Sequence, residues 1–294
     1  MNNSTNQQAQ KSGFFSNLAN PVLRRLEKNG EFNSETTATY SGIVGKTVFF
    51  LVLTIIGVFA CMLLHNLLVS NANPASLIKL ADTKNGIYDF SIVPFEAVIM
   101  IVVLAIDLIV PFLAWFVRRT IPVTGSIYCV AQGFLIGYIT VALARGLKYL
   151  SLLAMLLTLG LVAGMLFVYA KRIIKVTARF RGIITAIFFG IVLAGIIYTI
   201  LMIIPGVRNS AVFAGLNGIL NNPAVSIVIS IVFVIIASFF MLADFDTIER
   251  CVKNQVDKQY EWMAAWGLAY TILYIYFKIL RILIMIFGNS RSSK

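Results

Sequence analysis

Apolar residues in this chain gather into long runs instead of alternating with polar ones. Five runs are plain: Val48 to Ser70, Val93 to Val117, Leu147 to Ala170, Ile183 to Pro205 and Val225 to Ala243. Each is close to the ~20 residues with which a helix crosses about 30 Å of hydrocarbon. Ile121 to Leu143 is a sixth candidate, diluted by Thr124, Gly125, Ser126 and Gln132. Tyr260 to Phe287 is the last, longer than one crossing requires and carrying Lys278 and Arg281. The pattern predicts an all-α integral membrane protein with about seven transmembrane helices in a domain over 47–287. An N-terminal tail covers 1–46, and 288–294 form a short C-terminal tail.

Composition excludes a soluble chain. Hydrophobic residues make up 59% of the 294 and charged residues 12%, where about 25% charged is usual for a soluble domain. The 24 Lys and Arg outnumber the 12 Asp and Glu, but their placement argues against a nucleic-acid partner. Lys11, Arg24, Arg25, Lys28 and Lys46 precede the first run, and Arg118 and Arg119 follow the second. Lys171, Arg172, Lys175, Arg179 and Arg181 separate the fourth and fifth, and Arg250, Lys253 and Lys258 separate the sixth and seventh. The alternate loops carry fewer: Lys79 and Lys84, then Arg145 and Lys148, then Arg208. Positive charge alternating in this way is retained on the cytoplasmic side, so the partner is a lipid bilayer and the N-terminus is expected in the cytoplasm. Seven complete crossings place the C-terminal tail outside.

Residues 1–20, rich in Asn, Gln and Ser, are expected to be disordered and are not a signal peptide. Pro21 to Leu26 reads either as a short interfacial helix or as a plain tether. The run Tyr40 to Thr47, YSGIVGKT, superficially suggests a phosphate loop. Tyr40 stands where that motif needs its first Gly, and no strand precedes it, so nucleotide binding is not expected. Gly133 with Gly137, and Gly160 with Gly164, have the spacing that allows helix backbones to approach closely. No internal repeat is evident, which weakens an inverted-repeat transporter reading.

Cys61, Cys129 and Cys251 lack metal-ligand spacing and read as free thiols. His65 is the only histidine, and no partner for it is identifiable from the sequence. Catalysis and a cofactor are therefore not expected.

Ionisable groups at membrane depth are costly unless paired or wetted, which makes them the candidates for function. Asp107 lies inside the second run, and Asp244 and Asp246 close the sixth. Those two acids point about 200° apart on a helix, so they cannot share one site. Arg250, four residues after Asp246, offers a surface partner. Arg281 is placed to snorkel toward the outer interface. Lys278 lies roughly 14 Å along a helix from Phe287, beyond the reach of a lysine stem, and calls for a buried partner or a water cavity.

Several segments, in order, resemble the Bax inhibitor (TMBIM/YccA-like) family from about residue 20 to 285. Phe245-Asp246-Thr247 resembles the acid-bearing end of that family's sixth helix, and Tyr276-Phe277-Lys278-Ile279-Leu280 its seventh-helix segment. Asn20 to Leu26, Ala38 to Thr47, Val176 to Arg181 and Tyr260-Glu261-Trp262 are similar to a bacterial subgroup. The resemblance implies six helices around a central seventh, a bacterial plasma-membrane location, and a pH-dependent Ca²⁺ leak gated by two acids sharing a proton. It also implies an alternative: a non-conducting regulator that binds another membrane protein, such as a membrane protease. Lys278 stands where the family carries its seventh-helix acid, and Gln132, within Tyr128 to Gly133, where the family carries Glu. Both changes remove negative charge from the implied ion pathway. An Asp246–Lys278 ion pair holding the bundle closed is the expected consequence, and it requires Asp257 to about Trp266 to lie outside the bilayer or along its interface.

Overall fold

The computed structural model describes residues 37–73, 76–81, 89–143, 147–174, 176–208, 210–220 and 222–292. The expectations for 1–20 and for Pro21 to Leu26 fall outside these residues. In chain order the elements are α1 (Tyr40–Asn71), β1 (Ile78–Ala81), β2 (Asp89–Ile92), α2 (Pro94–Phe116), α3 (Ile121–Ala142) and α4 (Tyr149–Ala170). They continue with α5 (Ala178–Ile203), the single turn α6 (Pro205–Arg208), α7 (Ala211–Leu220), α8 (Pro223–Lys253) and α9 (Gln259–Ser292). A 3₁₀ turn, Arg118–Thr120, joins α2 to α3. Seven of the described helices (α1, α2, α3, α4, α5, α8 and α9) are long and apolar enough to cross a membrane. The chain is a multi-pass, all-α membrane protein.

Local chemistry sets the helix starts. Thr39 caps α1 by accepting from the Gly42 amide at 3.0 Å, and Thr177 caps α5 by accepting from Phe180 at 3.2 Å. Asn222 caps α8 through Ala224, and Pro94, Pro122 and Pro223 occupy first turns, where no backbone donor is needed. The α1 helix begins at Tyr40, ahead of the expected span start at 47, and α8 continues through Asp244 and Asp246 to Lys253. Those two acids, which end the apolar run, therefore sit within the continuing helix.

Helix α9 is the centre of the bundle, packed mainly against α8, α1, α4 and α3. Small residues at Ala265 and Ala269 admit the neighbours, and Ile275 and Leu280 are sealed among them. Helix α2 packs on α3, and α5 packs mainly against α8 and α6, so both are peripheral. Phe59, Ile101, Leu108 and Ile183 are exposed on outer faces, as a helix facing lipid requires. A two-stranded antiparallel hairpin, with Ile78 opposite Ile92 and Ala81 opposite Asp89, lies between α1 and α2.

The two glycine pairs part company. A Cβ on Gly133 would lie 2.8 Å from the Gly57 Cα, and one on Gly137 2.7 Å from the Cys61 Cβ, so α1 and α3 touch backbone to backbone. A Cβ on Gly160 or Gly164 would meet nothing within 4 Å. Small-residue spacing marks a smooth helix face, but packing also needs a partner against it, and α4 turns this face outward.

Candidate functional site

The basic loops of the sequence converge on one end of the bundle: the start of α1, the α2–α3 turn, the α4–α5 connection and the α8–α9 connection. Three acids at this end, Asp246, Glu249 and Glu261, are clasped by bases. Asp246 on α8 pairs with Arg181 from the first turn of α5, and also with the Arg250 Nε at 2.9 Å on its own helix. Glu249, one turn on, accepts from Tyr169 of α4 and from Lys253, with Arg172 at 3.9 Å. Glu261, in the first turn of α9, accepts from the Thr39 amide at 2.8 Å, from the Thr39 hydroxyl at 3.2 Å and from the Lys46 ammonium. Its side chain is fully buried. A Cβ at Gly42 would collide with the Glu261 carboxylate, which is why glycine stands there. These three clusters form a charged collar that ties α1, α4, α5, α8 and α9 together.

Asp244 lies two residues deeper than Asp246 along α8 and turns toward α9. Its carboxylate accepts from the Thr271 hydroxyl at 2.6 Å. The roughly 200° separation of the two acids is thus realised: one faces the central helix, the other the collar arginines. The acid of α8 that addresses α9 is Asp244.

The expected Asp246–Lys278 ion pair is not formed. The Lys278 ammonium sits 4.4 Å above the Phe233 ring and 5.2 Å above the Tyr274 ring. Phe233 precedes Asp246 by thirteen residues on α8, an axial distance of roughly 20 Å. The register explains it. Helix α9 already begins at Gln259, so Thr271 is level with Asp244 and Lys278 continues about 10 Å further from the collar. The segment to Trp266 accordingly lies in the helix, with the Trp266 ring edge-on to Tyr128 and tilted against Tyr270. Ring faces replace the carboxylate as partners of the ammonium. Arg281 is exposed and lies near enough to Lys278 to repel its charge.

Asp107 and Gln132 meet between α2 and α3, away from Lys278. The Gln132 side chain lies beside the Asp107 carboxylate and donates to the Tyr128 hydroxyl at 2.9 Å. Both carboxylate oxygens of Asp107 and the Oε1 of Gln132 are buried and accept no hydrogen bond from the described residues. Asp244, Asp107 and Lys278 therefore occupy three separate places, and no single constellation joins them. Among the described residues no group of three His, Cys, Asp or Glu side chains is arranged to hold a metal.

Sequence reasoning missed Glu261 and Glu96 as partners. His65 does have one: its Nδ1 lies 2.9 Å from the Glu96 Oε1, while Glu96 Oε2 accepts from the Val93 amide at 2.9 Å. Both acids stand in the first turn of a long apolar helix, where backbone donors are free, and that placement was the available signal. Arg181 reads in the sequence as one more loop base, although it is the partner of Asp246.

A family model described as Bax inhibitor 1 like matches residues 20–288. None of the curated proteins and none of the solved structures compared with the chain matches it.

Proposed function

Because the chain belongs to the Bax inhibitor 1 like family, we propose that it is a restrained cation-leak protein, with Ca²⁺ as the ion and protonation of the α8 acids as the control. The observation that carries this reading is the division of labour at the end of α8. Asp246 is neutralised by Arg181 and Arg250, while Asp244 faces the central helix with the hydroxyl of Thr271 as its hydrogen-bond partner. A carboxylate oxygen of that kind is a suitable hard ligand for Ca²⁺, and its protonation would remove the attraction. Beyond it, the Lys278 ammonium repels a passing cation, which is the proposed source of the restraint. The proposed activity involves no covalent chemistry and no cofactor. The proposed location is a bacterial plasma membrane, with the collar on the cytoplasmic side.

Ca²⁺ entry into dye-loaded proteoliposomes across neutral pH tests the reading with three proteins: wild type, Asp244→Asn and Lys278→Asp. The expected order is a faster leak in Lys278→Asp than in wild type, and a slower one in Asp244→Asn. A leak indifferent to Asp244, or silence in both wild type and Lys278→Asp, overturns it.

A second reading, a non-conducting regulator of another membrane protein such as a membrane protease, is favoured by α5. The apolar window of this span has 0% of its residues buried inside the bundle. Beyond its first turns, such a helix offers most of its circumference to lipid or to a partner helix. Copurification of a defined partner from mild detergent, lost when α5 outer-face residues such as Ile183 and Leu193 are replaced, would support it.

A further inference from the structure

A groove at the basic end of the bundle has chemistry that the collar does not use. It lies between the α2–α3 turn and the first turn of α9, encloses about 250 Å³, and is lined by Arg119, Pro122, Gln259, Tyr260, Trp262 and Met263. Every carboxylate of the collar has its base, but Arg119 makes no ion pair or hydrogen bond among the described residues. Its guanidinium is exposed at the mouth of the groove. Trp262 forms a firm wall: its ring meets Phe49 and Phe50 edge-on at 5.9 and 5.8 Å, and the Lys46 ammonium lies 5.1 Å from its centre. Lys46 itself is spent on Glu261, one residue before that wall.

We propose that this groove binds an anionic membrane phospholipid, with its phosphate on Arg119 and the adjoining glycerol and acyl chain against Trp262, Met263 and Pro122. Three features select that occupant. A guanidinium fork matches phosphate oxygens in geometry and charge. Arg119 lies two residues before the apolar span α3, and Tyr260 and Trp262 open the apolar span α9, so the groove lies at headgroup depth, where amphipathic aromatic rings concentrate. The lining changes from charged to apolar across one small volume, as a lipid does at the glycerol level, and basic pockets between spans are suited to such headgroups. A soluble anion would use only the first of these features. The bound lipid braces the start of α9 beside Glu261, and thereby the collar.

Native mass spectrometry of the full chain, released from nanodiscs of phosphatidylcholine mixed with phosphatidylglycerol, tests the proposal. Wild type is expected to retain phosphatidylglycerol in preference to phosphatidylcholine. Arg119→Gln should weaken that retention about fivefold, the worth of one interfacial cation. Arg119→Lys should fall between the two, and Lys171→Gln, a basic residue at the same end outside the groove, should behave as wild type. Equal retention of the two lipids, or equal losses in Arg119→Gln and Lys171→Gln, overturns the site. Displacement of phosphatidylglycerol by inorganic phosphate at moderate concentration overturns the lipid as its occupant.

Discussion

Replacing Glu261 by Ala removes the acceptor for three donors at once: the Thr39 amide, the Thr39 hydroxyl and the Lys46 ammonium. The carboxylate is fully buried, so water cannot take its place without opening the α1–α9 contact, whereas Lys46 keeps 17% of its side-chain surface exposed. Orphaning one partner of a buried pair costs about 3–5 kcal/mol. The partial access of Lys46 to water puts the expected loss near the lower bound, about 3 kcal/mol. For a chain of this size that corresponds to a fall in melting temperature of roughly 6–12 °C, read by thermal unfolding in mild detergent. Glu261→Gln keeps an acceptor for Thr39 but sets a neutral amide against the ammonium, and should lose about half as much. Lys46→Met should remove most of the remaining penalty of Glu261→Gln, giving a coupling of at least about 1 kcal/mol in the double-mutant cycle. A Glu261→Ala protein that melts within the ~0.5 kcal/mol typical of surface changes, or a cycle with no coupling, would refute the buried latch.

Three further outcomes follow from the packing. Gly133→Leu drives a side chain into the Thr54 carbonyl and the Gly57 backbone, and should cost at least 1–3 kcal/mol, the usual overpacking penalty; Gly160→Leu, facing open space, should stay within about 0.5 kcal/mol by the same melts. Asp246→Ala and Lys278→Ala should add to within about 0.5 kcal/mol, because the two side chains share no partner; a double variant more stable than Lys278→Ala alone would restore the direct ion pair. His65→Ala leaves the Glu96 carboxylate buried with only the Val93 amide, at a cost of about 3 kcal/mol, and His65→Ala/Glu96→Gln should be the more stable protein.

The number and order of the spans were legible in the sequence because the bilayer imposes its thickness on each helix separately. A run such as Leu147 to Ala170 must form a helix at nearly those bounds whatever its neighbours do. The basic end was legible for the same one-dimensional reason, since loop charge can be counted along the chain. So was the pairing of Asp246 with Arg250, which needs only helical periodicity. Which helix faces contact one another was not legible. The glycine pairs of α3 and α4 have the same spacing, yet only Gly133 and Gly137 meet a partner. The axial register of α9 against α8 is set by the short connection and by the packing of Ala265 and Ala269, and it moves Lys278 away from Asp246 and onto Phe233. Arg181, Thr271 and Glu261 acquire their roles through contacts between residues far apart in the chain. The sequence by itself determined a seven-span helical membrane protein with one basic end. Only the tertiary structure decided which charges are paired, because pairing depends on helix rotation and register, to which the hydrophobic requirement of each span is indifferent.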